Sequence, residues 1–238
     1  MICTLIAFCP EESLRAADQC TSTFGLLDMT HLMQATSVWC FVTSTKEVLD
    51  RLQVEDPLSM NIPPFYSSCR LYNLTNNPGI DCCQVDPTAT SQCLSVGWPD
   101  DVFNNVMPYT TLADPGYTSG GALSWSDLKG QICPSGSRGQ PFIYLAEPIT
   151  GGIPHTYTAI GFQENVTGTG QNVIYVHSHE TIGMGPSGAG IVDELCYRSG
   201  ACPPFQYRHD GDVYNIHLPA IPNGVTGPPA APKGLTVR

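Results

Sequence analysis

Positive charge is scarce in this chain. Its 238 residues include ten Lys and Arg together against 21 Asp and Glu, a net charge of −11. So acidic a surface repels phosphate backbones and anionic headgroups, which disfavours nucleic acid and membrane surfaces as partners. Charge of either sign is sparse, at 13% of residues. No apolar run approaches the ~18–20 residues that span a bilayer, so a soluble protein is expected. The opening MICTLIAFCP is apolar but has no basic flank and no small-residue cleavage site after it. A signal peptide is therefore not evident; a truncated signal remnant and a buried first element both fit. There is no internal repeat.

Cysteine, glycine and proline are abundant instead. The 23 glycines and 21 prolines imply a loop-rich architecture rather than a helical bundle. Eleven cysteines (Cys3, Cys9, Cys20, Cys40, Cys69, Cys82, Cys83, Cys93, Cys133, Cys196 and Cys202) suit an oxidising compartment, so secretion is expected. An odd total leaves at least one thiol outside intrachain disulfides. Asn73-Leu74-Thr75 and Asn165-Val166-Thr167 are N-glycosylation acceptor patterns, meaningful where the host glycosylates.

The length suits one two-lobed domain or two small ones. Three parts are read: 1–110, led by helices; 111–221, led by strands; and 222–238, a Pro/Gly-rich linker or tail. In the first, Cys40 to Leu52 spaces Phe41, Val48, Leu49 and Leu52 as an apolar helix face, with Lys46, Glu47, Asp50 and Arg51 elsewhere. Asp56-Pro57 closes the region after it. Cys69 to Tyr72 predicts a second helical piece, and Pro99, followed by two acids, opens a third. In the second part, LSWSDLKGQI predicts a helix with Ser124 as N-cap and Asp127 completing a variant capping box. PFIYLAEP, HTYTAIGF and NVIYVHS read as strands, with YNIHLPAI as one more.

Cys40 is the cysteine that stands out, directly after a tryptophan and opening the clearest helix. It is either half of a disulfide or a nucleophile. Gln34 lies six residues before it, within QATSVWCFVTS. Downstream come CRLYNLTNNPGIDCC and QCLSVGWPDDVF, then LSWSDLKGQI ahead of PFIYLAEP, then GGIPHTYTAIGF with His155. Over about residues 28 to 180 this order resembles the papain-like cysteine peptidases. The nearer likeness is to the branch of staphopain-like, avirulence-type and bacteriocin-processing peptidases.

The resemblance implies an α+β, two-lobed papain-like fold. A helical N-terminal lobe carries the nucleophile helix, and an antiparallel β-sheet C-terminal lobe carries the histidine. It implies a polypeptide substrate and neither cofactor nor metal. Cys40 would attack the peptide carbonyl, with His155 as its thiolate–imidazolium partner and later the acid for the leaving amine. Gln34 and the Cys40 backbone N–H would hold the oxyanion. A helix N-terminus beside an imidazolium lowers a thiol pKa from ~8.5 to ~3.5–7.5.

The third position departs from the family pattern. Where papain-like enzymes place Asn or Asp after the strand that follows the histidine, this chain has His177-Ser178-His179-Glu180. The register puts Ser178 at the orienting position, with His177 or Glu180 as alternatives if it slips. A serine accepts the imidazole hydrogen bond but adds no charge, so a weak enzyme, or an inactive binding module on the same fold, stays open. So does an acyl transferase or isopeptidase using the same Cys-His pair.

The HSHE run also admits zinc on His177, His179 and a carboxylate, with no third ligand at a convincing spacing. Cys69, Cys82, Cys83 and Cys93 form either a zinc site or two disulfides. Disulfides are favoured, with Cys82 and Cys83 bonded to different partners. Cys196 and Cys202 would close a small loop; the connectivity of Cys3, Cys9, Cys20 and Cys133 is not readable. The terminal PPAAPKGLTVR resembles the start of a fibronectin type III domain, which implies further extracellular domains beyond it.

Overall fold

The computed structural model describes residues 18–55, 67–106, 116–135, 138–148, 152–167, 169–179, 189–193 and 207–216. The opening MICTLIAFCP, Asp56-Pro57, Glu180, Cys196, Cys202 and the Pro/Gly-rich tail lie outside them.

The first long element is the helix that the spacing predicts, α1 (Cys40–Glu55). Its apolar residues Phe41, Val48, Leu49 and Leu52 enter one buried cluster, as expected. The polar side differs from the amphipathic reading: Glu47 and Arg51 are only 2% and 5% exposed. Cys40, Ser44, Glu47 and Arg51 recur at helical spacing, so α1 buries a polar stripe as well as an apolar one. Thr43 and Thr45 are fully buried, and their hydroxyls donate to the carbonyls of Trp39 and Phe41 one turn back. Lys46 and Asp50 face outward and pair at 2.7 Å.

Two more helices pack on α1. The first, α2 (Ser68–Asn76), exceeds the short piece expected because Ser67 caps it and Asn77 ends it in the left-handed conformation, φ 43°. The second, α3 (Pro99–Val106), starts where Pro99 and its following acids predict. Leu71, Tyr72, Val102 and Phe103 join the α1 cluster. Each such fully buried side chain contributes about 1.5–3 kcal/mol relative to exposure. A fourth helix, α4 (Trp125–Ile132), has the predicted cap: Ser124 accepts the Asp127 N–H and donates its hydroxyl to the Asp127 carboxylate at 2.6 Å.

Among the described residues eight strands form one sheet in which every neighbouring pair is antiparallel: β1 (Gln19–Cys20), β2 (Phe24–Leu26), β3 (Thr118–Gly120), β4 (Phe142–Pro148), β5 (His155–Gln163), β6 (Val173–His177), β7 (Ala189–Asp193) and β8 (Tyr207–Tyr214). The protein is α+β. The central strand is β5. It pairs with β6 along one edge, and with β4 and then β2 along the other. The sheet therefore takes strands from both the first and the second part of the chain. The strand expected in YNIHLPAI sits earlier, with Tyr214 as the last residue of β8. The charged run RHDGDV hides its strand character: its Asp212 is fully buried and accepts the Leu123 N–H.

Side-chain alternation gives the sheet two faces. Ile143, Leu145 and Val213 pack with α1, α2 and α3, whereas Phe142, Tyr144, Tyr157, Ala159 and Phe162 pack with Leu128 and Ile132 of α4. Among the described residues three disulfides staple this arrangement: Cys20–Cys133, Cys69–Cys83 and Cys82–Cys93. Cys82 and Cys83 do take different partners. The first of the three spans 113 residues, a separation for which loop-closure entropy predicts about 4–5 kcal/mol of stabilisation.

Candidate active site

The position of Cys40 is set by the aromatic residue before it. Trp39 is buried, donates its indole N–H to the Cys93 carbonyl at 2.7 Å and stacks on Tyr72 at 4.8 Å. The Tyr72 hydroxyl in turn donates to the Gln92 carbonyl and accepts the Ser95 N–H. The Cys82–Cys93 disulfide holds this loop, so the stapled region anchors the first turn of α1. Gly97 closes over it: a Cβ there would sit 2.6 Å from the Phe41 ring, so a glycine is required.

Cys40 keeps a thiol rather than a disulfide, and it is buried. Its Sγ reaches the Pro154 carbonyl at 3.9 Å, which brings the sulfur to the residue adjoining His155. Gly152, at φ 145°, makes the turn into β5 in a conformation that side chains rarely adopt. One helical turn on, the Ser44 and Thr156 hydroxyls meet at 3.0 Å. Helix and strand are thus joined at both Cys40 and Ser44.

His155 opens β5 and is 4% exposed. Its ring packs edge-on to Tyr157 at 4.4 Å, and Tyr157 stacks on Tyr144, which stacks on His209. Desolvation by burial, with the charge of His179 adding to it, pushes His155 down to about 3. The ring is therefore a neutral base near pH 7.

Ser178 follows the last β6 residue, His177, which pairs with Thr158; continued alternation would turn it toward the face that carries His155. Its hydroxyl is buried and has no hydrogen-bond partner among the described residues. Gln34 is buried too: its backbone N–H donates to the His179 carbonyl at 3.1 Å, and its side-chain oxygen has no partner among the described residues. His177, the alternative orienting residue, lies on the opposite face and pairs with Glu47.

On that opposite face sits a cluster that spacing alone did not assemble. Glu47 accepts the Leu32 N–H at 2.6 Å through Oε1 and pairs with His177 Nδ1 at 3.1 Å through Oε2. His179 Nδ1 lies 3.0 Å from the Leu32 carbonyl and 3.7 Å from Glu47 Oε1. His31 Nε2 contacts the Ser178 carbonyl at 2.6 Å, and its ring stacks near His179. Desolvation opposes ionisation of Glu47, but the His177 hydrogen bond and the charges of both histidines outweigh it and hold the carboxyl below its usual range. Burial pushes His179 down, against the opposing pull of Glu47. His177 and His179 do share a face, as alternation predicts. The carboxylate they meet is Glu47, from a helix some 130 residues away in sequence. Its one sequence signal is a polar residue two turns after Cys40.

No protein-family model matches the chain, and no curated protein matches it either.

Proposed function

We propose that the chain is a papain-like cysteine peptidase that cleaves peptide bonds with Cys40 as nucleophile and His155 as base. The observation that carries this reading is the Cys40 thiol. It opens a buried helix in a chain whose other described cysteines are disulfide-bonded, and it touches the carbonyl adjoining His155. Helices on one sheet face, with the nucleophile helix leading, are compatible with the two-lobed papain-like arrangement. The disulfides favour secretion, and no described helix is long and apolar enough to cross a membrane.

The burial of His155 favours a resting pair of thiol and neutral imidazole over a standing ion pair. His155 takes the Sγ proton as the sulfur bonds to the scissile carbonyl carbon, whose π electrons move to oxygen. The Gln34 side-chain amide and the Cys40 N–H receive that oxyanion at the helix N-terminus. Collapse re-forms the carbonyl and breaks the C–N bond, and His155 gives its proton to the leaving amine. A water, deprotonated by the same ring, then releases the thioester acyl group as acid. An amine in place of that water would make the same machinery a transferase.

That the Ser178 hydroxyl has no hydrogen-bond partner among the described residues favours a second reading, a binding module that has lost its orienting group. A thiol-directed epoxide separates the two. The peptidase reading expects stoichiometric modification at Cys40, lost in Cys40→Ala and slowed in His155→Ala. No modification, or modification at another residue, supports the binding module.

A further inference from the structure

We propose that His31, Glu47 and His179 form a binding site for a divalent transition-metal ion of the zinc class. One donor atom from each lies within 4.8 Å of the other two. A tetrahedral ion with bonds of about 2.0–2.2 Å to nitrogen and carboxylate oxygen needs these donors roughly an ångström closer. Glu47 and His179 are buried, and the partly exposed His31 is the member that would shift to close the distance.

The surroundings resemble those that fix metal ligands. Backbone carbonyls of Ser178 and Leu32 hold the His31 and His179 rings through N–H donation, and the Leu32 N–H fixes one Glu47 oxygen. A neutral imidazole that donates from one nitrogen keeps a lone pair on the other, the form a metal takes. On His31 that is Nδ1, and on His179 it is Nε2, whose present neighbour, the Thr158 hydroxyl at 3.4 Å, an ion would displace. His177, bonded to the second Glu47 oxygen, holds the carboxylate from the other side. Two imidazoles and one carboxylate leave a fourth position for water or an added ligand. Nitrogen donors select zinc-class ions over magnesium or calcium.

The site joins three segments. His31 lies three residues before Gln34, His179 follows Ser178, and Glu47 lies two turns after Cys40 on α1. A bound ion therefore clamps the segments bearing Gln34 and Ser178 onto the nucleophile helix. This holds whether or not the chain is a peptidase.

The test uses the full chain carrying Cys40→Ala, which removes the one described thiol able to compete for zinc, stripped by chelator and dialysed. Calorimetric titration with Zn2+ is expected to show one equivalent bound and a raised melting temperature, with no effect of Mg2+. His31→Ala, at a partly exposed position, is expected to keep the apo melting temperature and weaken Zn2+ binding by about 100-fold or more. Co2+ in place of Zn2+ gives a second readout, visible d–d bands in Cys40→Ala that vanish with Glu47→Gln. Absence of Zn2+ binding to Cys40→Ala would overturn the proposal, as would unchanged affinity in His31→Ala. Either result would leave the cluster a hydrogen-bond network that holds the strand end to α1.

Discussion

The two faces of β5 handle polar groups in opposite ways. Toward α1, Thr156, Thr158, His177 and His179 meet Ser44 and Glu47, and both Glu47 oxygens accept hydrogen bonds. On the other face, His155 lies against aromatic rings, and Ser178 presents a buried hydroxyl with no partner among the described residues. Nearby, Gln34 does the same with its side-chain oxygen. A buried polar group without a partner costs about 1–3 kcal/mol, so each one calls for an explanation such as a role in catalysis or a bound water. The first face is satisfied by groups of α1; on the proposed reading His155 and Ser178 would meet substrate from the second, at the end of β5 where Cys40 Sγ reaches the Pro154 carbonyl.

The contrast can be broken by substitution. Glu47→Ala strips the partner from His177 and a charge from beside His179 in a buried setting. It should destabilise the fold by about 3–5 kcal/mol in denaturant unfolding. Gln34→Ala should lower kcat by about 10²–10³, some 2.7–4 kcal/mol of transition-state stabilisation, with little change in unfolding free energy. An equal loss of stability in both variants would erase the distinction between support and site.

His155 supplies the pH arm. In the unfolded chain it takes a proton as pH falls through about 6.5, whereas the folded ring waits until about 3. Between those values the unfolded state binds more protons. The His155 contribution is thus complete above pH 6.5 and lost as pH falls toward 3, on the order of a few kcal/mol in all. His155→Phe, which keeps the ring against Tyr157, should flatten this part of the stability profile. Smaller still, Ser178→Ala removes a hydroxyl with no partner among the described residues and should leave stability unchanged or raise it by up to about 1 kcal/mol. Lys46→Ala breaks an outward-facing pair and should cost only about 0.3–0.5 kcal/mol.

These contrasts also show what the sequence could carry. The α4 cap was legible because Ser124 and Asp127 interact locally, and β4, β5 and β6 because β-branched and aromatic residues fill buried strands. The helix opened by Cys40 was legible because Phe41, Val48, Leu49 and Leu52 recur at helical spacing. Glu47 and Arg51 were not: spacing places them off the apolar stripe, but only the tertiary fold supplies His177 and His179 for one, and Asp18 with the Asp28 and Gly139 carbonyls for the other. His31 is an ordinary loop residue until Ser178 and His179, just after β6, reach it. Strands β1, β2 and β3 are two or three residues long, too short to show alternation.

The account rests on Cys40 and His155 acting as one unit. The most direct measurement is hydrolysis of fluorogenic peptide amides by the wild-type chain, Cys40→Ala and His155→Ala under identical conditions. Wild-type turnover, no detectable turnover in Cys40→Ala and a loss of about 10²–10⁴ in His155→Ala are the predicted results. Turnover that survives in Cys40→Ala would contradict the account.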